Sequence, residues 1–234
     1  MGDAGCMLNV LVANYNEEYS TATLKQLTNM LNVQVWNAKR LGWNHEDILI
    51  YTNFYYAPMY GQLRYLPVNT AVVKGTKTGL VSKLLPHLPR DQTIWVHDLD
   101  AWQTEPFTEP YFEDIGIVPY APNNPKYNSG SVFYRTGAAD IMQKVWNELQ
   151  NQDPQKCIRE EFIINDVFFK PEFAGRITPL DFRYNLGTNQ YAKRFNAATK
   201  PVIVRHFHPE DEKGWNVHAD ELPKELKSKL EGLR

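Results

Sequence analysis

The strongest constraint on how this chain can fold is a set of short apolar runs that never alternate between a dry face and a wet one. Met7-Leu8-Asn9-Val10-Leu11-Val12-Ala13 is continuous enough to be buried on both sides, as are strands of a parallel sheet covered by helices. Asp47-Ile48-Leu49-Ile50-Tyr51 and Ile94-Trp95-Val96 repeat the pattern, short, β-branched or aromatic, and bounded by polar residues. Helical periods lie between them. Leu24, Leu27, Leu31, Val35, Ala38 and Leu41 share one face, with Ser20 and Thr21 as candidate N-caps and Gly42 as the stop. A second helix runs through Leu80, Val81, Leu84 and Leu85 and ends by Pro86. A short strand is expected near Ala71-Val72-Val73, and residues 53–69, aromatic and without a period, read as a surface loop over a site.

The second half is mixed. Ile115–Val118 and Gly130–Tyr134 read as strands, Ala138–Leu149 and Glu160–Phe169 as helices, and Pro201–Arg205 as a late strand. Lys224–Leu233 is a charged amphipathic helix. Alternation followed by mixture predicts an α/β fold, a single domain over 1–234 with a mostly parallel central sheet flanked by helices. A chain of 234 residues, 43% hydrophobic, suffices for one well-buried core, here about 7–216 with a terminal helix over 221–233. A net charge of -2 provides no field to draw nucleic acid or an anionic membrane. Cys6 and Cys157 make no disulfide framework and no apolar run is long enough for a transmembrane segment, so a soluble, cytoplasmic protein is expected.

Chemistry concentrates at strand ends. The run Ile94–Val96 leads into Asp98-Leu99-Asp100, and a continued pleat would project both carboxylates from one side. Paired carboxylates repel unless a cation sits between them, and hard divalent metals take such oxygen ligands. In open α/β sheets this edge is also where ligands bind. An Asp-x-Asp triplet is common by chance, so its weight comes from the rest of the chain. Asn14-Tyr15-Asn16, after the first strand, offers amides to read a base edge and a ring to stack on it. Lys74–Gly79 lacks the Gly-Lys-Ser/Thr ending of a phosphate loop, while Lys83 further along the helix could reach back to a diphosphate. Tyr127-Asn128-Ser129-Gly130 makes either a tight turn or a close backbone approach to a ligand. Glu160 and Glu161 complement a helix dipole or, in a cleft, stabilise positive charge on a reacting sugar. His206 and His208 end the late strand; one imidazole added to two carboxylates suits Mn²⁺ better than Mg²⁺. Lys213-Gly214-Trp215 adds another phosphate contact.

The order and spacing of these pieces resemble the GT-A glycosyltransferases, and within them glycogenin and the bacterial lipopolysaccharide galactosyl- and glucosyltransferases, from about residue 7 to 216. The matching steps are Asp98-Leu99-Asp100, Tyr127-Asn128-Ser129-Gly130, Glu160-Glu161-Phe162-Ile163-Ile164-Asn165, Tyr184-Asn185 and His206-Phe207 with Lys213-Gly214-Trp215. The resemblance implies a retaining transferase that takes a nucleotide-sugar donor, UDP-linked, and a saccharide or other hydroxyl acceptor. Asp98, Asp100 and His206 would hold Mn²⁺, with Mg²⁺ as the alternative, against the donor diphosphate, and Lys83 and Lys213 would add to that clamp. Asn14, Tyr15 and Tyr19 would hold the base, with His97, Leu99, Asn128, Ser129, Gly130 and His208 around the nucleotide sugar. Glu160 or Glu161 would carry any catalytic side-chain role. Two departures stand out: Glu160-Glu161 replaces the family's Asp-Gln, and the closing motif lacks its Gly and is one residue longer, leaving His208 as a competing ligand. Two other classes are a sugar-nucleotide pyrophosphorylase, which would carry a Gly-rich, Arg-containing loop where Asn14–Tyr19 stands, and a non-catalytic carbohydrate-binding module.

Overall fold

The computed structural model describes residues 7–18, 20, 22–67, 75–107, 109–152 and 160–234. Its strands are β1 (Leu8–Ala13), β2 (Ile48–Thr52), β3 (Gln62–Tyr65), β4 (Thr93–His97), β5 (Ala101–Gln103), β6 (Ile115–Ala121), β7 (Asn124–Arg135), β8 (Ile177–Pro179), β9 (Leu186–Gly187) and β10 (Val204–His206). The helices are α1 (Leu24–Arg40), α2 (Thr76–Leu84), α3 (Ala139–Gln150), α4 (Glu160–Phe168), α5 (Tyr191–Ala197), α6 (Glu212–His218) and α7 (Lys224–Glu231).

A seven-stranded sheet in the order β3-β2-β1-β4-β7-β6-β8 forms the centre, parallel except where β7 pairs with β4 and β6. The expected mostly parallel α/β sheet is therefore present. The uniform apolar runs have the anticipated cause: β2 and β4 are buried along their whole length. Successive residues face opposite layers. Val10, Ile94 and Val96 join Leu80, Ile141, Val145 and Ile164 of α2, α3 and α4, whereas Leu11 and Ile50 join Leu31, Val35, Leu226 and Leu230 of α1 and α7. No helix among the described residues is long and apolar enough to cross a membrane.

A second sheet, absent from the sequence reading, runs β5-β10-β9. It packs a third core, including Trp95, Phe133, Leu186 and Val204, against the end of the central sheet. β10 sits in its middle, antiparallel to β5 and parallel to β9, so the strand bearing His206 is held from both sides.

Several local expectations change. Residues 62–65 are not loop but β3, an edge strand whose last three side chains are exposed, which is why no apolar signature marks it. The α1 N-cap is Thr23, in a reciprocal capping box with Gln26, while Ser20 Oγ accepts from the Asn16 N–H instead. Thr21 and the strand expected at 71–73 lie outside the described residues. Tyr127–Gly130 is neither turn nor strand entry; it lies inside β7, which runs from Asn124.

Candidate active site

β4 ends at His97, and the two aspartates that follow belong to a tight turn in which the Ala101 N–H donates to the Asp98 carbonyl at 3.0 Å. A continued pleat is thus not what aligns their carboxylates; the turn does. Both meet His206 at the end of β10. His206 Nε2 stands 3.7 Å from Asp98 Oδ2 and 3.3 Å from Asp100 Oδ1. One ligand atom from each of the three lies within 4.8 Å of the others, the metal-compatible group found among the described residues.

A bulge in β7 builds the floor under this cluster. The β6–β7 register pairs Ile117 with Val132 and then jumps to Val118 with Asn128, so the intervening residues leave that ladder. Their backbone is used elsewhere. Gly130 O accepts from the Asp98 N–H at 2.9 Å, Ser129 O from Lys77 Nζ at 2.7 Å, and the Ser129 N–H donates to Glu161 Oε1 at 3.0 Å. Gly130 is required because a Cβ there would fall 2.1 Å from Cε1 of His206. The close approach that its small size permits is therefore made by an imidazole.

His206 is oriented by two asparagines. Asn128 Oδ1 accepts from the Gly130 N–H at 3.0 Å and from Asn185 Nδ2 at 2.6 Å, which turns Asn185 Oδ1 towards His206 Nδ1 at 3.2 Å. Since that oxygen can only accept, Nδ1 carries the proton and Nε2 faces the carboxylates, the arrangement that metal-binding histidines need.

Electrostatics follow from burial and proximity. Burial alone would lower the His206 pKa, but the Asp100 and Asp98 carboxylates outweigh it and raise it above the ordinary value. For Asp100 burial acts upwards and His206 overcomes it, holding the carboxyl well below the usual range. Lys77 is raised in the same way, burial being outweighed by Asp98 and Glu160. Burial raises Glu161 against the Ser129 N–H and Lys77, and raises Glu160 against Lys77 and Thr78.

Beside the cluster opens a cleft of about 330 Å³ whose lining includes Asp100, Asn128, Arg194, His206, His208 and Lys213. No family model matches the sequence, and none of the curated proteins does. Solved structures do. The chain is similar to a glycosyltransferase involved in glycosylation of the major capsid of PBCV-1, with a TM-score of 0.54 and 13% identity over 96% of this chain and 99% of that one. It is similar to the galactosyltransferase LgtC, solved with donor and acceptor sugar analogs, with a TM-score of 0.58 and 15% identity over 94% and 99%. The bifunctional glycosyltransferase WbbM gives a TM-score of 0.61 at 10% identity, over 99% of this chain and 52% of that one. The fold is that of the GT-A glycosyltransferases.

Within the GT-A fold the sequence-derived residues divide. Asp98, Asp100, His206, Asn128, Ser129, Gly130 and Glu161 are brought together, and His208 and Lys213 line the adjoining cleft. Asn14 and Tyr15 sit at the same edge, after β1; Asn14 Nδ2 donates to Thr76 Oγ1 at 2.8 Å, and both backbone groups of Tyr15 are clasped by the Asn53 amide. Tyr19 lies outside the described residues.

Three residues stand elsewhere. His97 is 1% exposed, stacked on Trp95 at 3.8 Å between ring centroids, and Leu99 is buried with its carbonyl accepting from Gln34 Nε2. Lys83 is exposed and donates to the Pro67 carbonyl. The lysine at the cluster is Lys77, in the first turn of α2, with Nζ 2.5 Å from Asp98 Oδ1. Glu160 reaches the same turn, accepting from the Thr78 N–H at 3.1 Å and from the Thr78 hydroxyl. Lys77, Asn185 and Arg194 were missed as site residues. Asn185 stands in the Tyr184-Asn185 step and Lys77 in the Lys74–Gly79 run, whereas no sequence motif marks Arg194.

Proposed function

We propose that the chain is a metal-dependent glycosyltransferase that moves a sugar from a nucleotide-diphosphate donor, UDP-linked, to a hydroxyl of a saccharide acceptor with retention of configuration. The observation that carries this reading is the convergence of Asp98, Asp100 and His206, from two sheets, at the edge of β4 beside a cleft. The donor set fits Mn²⁺. With metal–ligand bonds of about 2.1 Å, neighbouring ligands of an octahedron stand about 3 Å apart. The 3.3 and 3.7 Å separations between His206 Nε2 and the carboxylates are close to that. A bound ion would supply Lewis-acid stabilisation of the departing diphosphate.

The chain's own residues do the rest. Lys77 holds Asp98 against the bulge and keeps a positive charge at the cluster. Glu160 fixes the first turn of α2 and so positions Lys77. Glu161, tied to Ser129, would stabilise positive charge on the reacting sugar. Asn14 Oδ1 has no partner among the described residues and offers an acceptor to a base N–H. Lys213 and His208 flank the phosphate side of the cleft.

Calorimetric titration of UDP in the presence of Mn²⁺ tests the reading. Asp100→Ala is expected to abolish Mn²⁺-dependent binding while the fold persists, and an unchanged titration would overturn the metal assignment. A nucleotide-sugar panel scored by Mn²⁺-dependent hydrolysis identifies the donor, and pyrophosphate release from a nucleoside triphosphate plus sugar phosphate would point instead to a nucleotidyltransferase. NMR of the first-formed product reports the anomeric centre; an inverted one refutes retention.

A further inference from the structure

Arg194, on α5, has one of the least compensated charges in the molecule. The residue is 2% exposed, yet no carboxylate lies within ion-pairing distance among the described residues. Its Nη2 donates to the Asn185 carbonyl and its face rests on Phe182, with 5.4 Å from the guanidinium carbon to the ring centroid. The remaining donors are spare. Nε is buried without a partner, and no described residue bonds to Nη1. Burial lowers the Arg194 pKa to about 10, against the more distant pull of Tyr120 and Glu161. Keeping a cation dry in this way is costly unless an anion arrives to meet it.

The local backbone delivers this cation to the cleft. Gly187 and Arg194 both line it, and a Cβ on Gly187 would sit 2.9 Å from Nη1. Glycine at 187 therefore lets the guanidinium edge lie directly against the cleft wall. Thr188 and Asn189, also lining it, add a hydroxyl and an amide alongside, and Lys213 supplies a second cation. A guanidinium whose Nη1 edge is free, flanked by short polar side chains, matches an oxyanion, which accepts charge-assisted hydrogen bonds.

We infer that Arg194 and its neighbours Gly187, Thr188 and Asn189 form an oxyanion subsite in the cleft, taking a carboxylate or phosphate group of a bound substrate. The inference rests on the cleft being the substrate site proposed above, and it refines that reading by assigning Arg194 as the partner of an oxyanion on one of the two substrates. The oxyanion has two sources, an acidic group on the acceptor or the diphosphate of the donor.

Titration of the metal-free protein with inorganic phosphate tests the subsite without any turnover. Wild type is expected to bind phosphate, and Arg194→Gln to bind it about tenfold more weakly or worse. Gly187→Ala keeps the arginine but crowds Nη1, and is expected to weaken phosphate binding in the same sense. Circular dichroism and Mn²⁺ titration of each variant check that the fold and the nearby cluster persist, and Arg194→Lys, retaining charge without the fork, should fall between. Equal phosphate affinity in wild type and Arg194→Gln, or no phosphate binding by wild type, overturns the inference.

Two further arms identify the source. If the preference for glucuronate over glucose disappears in Arg194→Gln, the acceptor carries the acid. If the preference for UDP over uridine disappears, the donor diphosphate does. Failure of Mn²⁺-dependent UDP binding with phosphate binding still dependent on Arg194 would sink the donor reading and leave the subsite standing.

Discussion

Gly130 and Asn185 decide whether three well-chosen ligands can work together. Gly130→Ala puts a methyl group 2.1 Å from the His206 ring, so the imidazole must leave or the bulge must open. The variant is expected to lose Mn²⁺ affinity by well over tenfold and to be destabilised by about 1–3 kcal/mol, the range for overpacking. Electron paramagnetic resonance of free Mn²⁺ and thermal melting read the two effects. Asn185→Leu keeps volume but removes the oxygen that fixes the His206 tautomer, and a loss of about 10–100-fold in Mn²⁺ affinity is expected. Because neighbouring carboxylates raise the pKa of the metal-free His206, Mn²⁺ must displace a proton. Its affinity should therefore climb with pH through a midpoint above 6.5, the imidazole's ordinary value. At this scale the sequence exposed the ligands, since Asp, Asp and His announce their chemistry by type. It did not expose the lysine: Lys77 and Lys83 lie on the same helix, and only the rotation of α2 decides which one meets Asp98.

Elements, rather than residues, account for what periodicity left unread. The β7 bulge that feeds backbone groups to Asp98, Lys77 and Glu161 lies between a polar, exposed half-strand and the apolar run Val132–Tyr134, so its small polar residues read as a turn or strand entry and not as the middle of a strand. β5, β9 and β10 span only two or three residues each, too short for an alternation to register. The long runs of β1, β2 and β4 and the stripes of α1 and α3 were legible because each covers a full period of burial. Helix packing also sets a testable constraint. A Cβ on Gly79 of α2 would lie 2.6 Å from Cζ3 of Trp146 on α3. Replacing a helical glycine by alanine normally gains about 1 kcal/mol. Here the clash is with a large ring in the core, so Gly79→Ala is expected to be net destabilising by about 1–3 kcal/mol in urea denaturation. A stabilised variant would show that α2 and α3 can separate without loss.

For the whole molecule, acid stability depends on histidines buried as neutral rings. His218 is fully buried between Phe207 and Tyr191, with burial, Arg205 and His206 lowering its pKa to about 3. His97 is lowered by burial to about 4. The unfolded chain protonates both near 6.5 while the folded one does not, so stability rises with pH across this window. Below pH 6.5 each ring removes about 1.4 kcal/mol per pH unit until its folded pKa is reached. His206 acts in the opposite sense, its contribution being complete below 6.5 and lost as pH rises through its folded pKa. Denaturant midpoints measured from pH 7 down to 4.5 should fall steeply, and His218→Phe should flatten the slope. The metal cluster has a further consequence at this scale. Its aspartates follow a strand of one sheet, its histidine ends a strand of another, and α3, α4 and α5 lie between them in sequence. An ion seated there would act as a rivet across a seam, closing a long loop of chain that the unfolded state leaves free. Mn²⁺ at about a hundred times its dissociation constant would then add about 2.7 kcal/mol to global stability, making the melting temperature itself a gauge of site occupancy that needs neither donor nor acceptor.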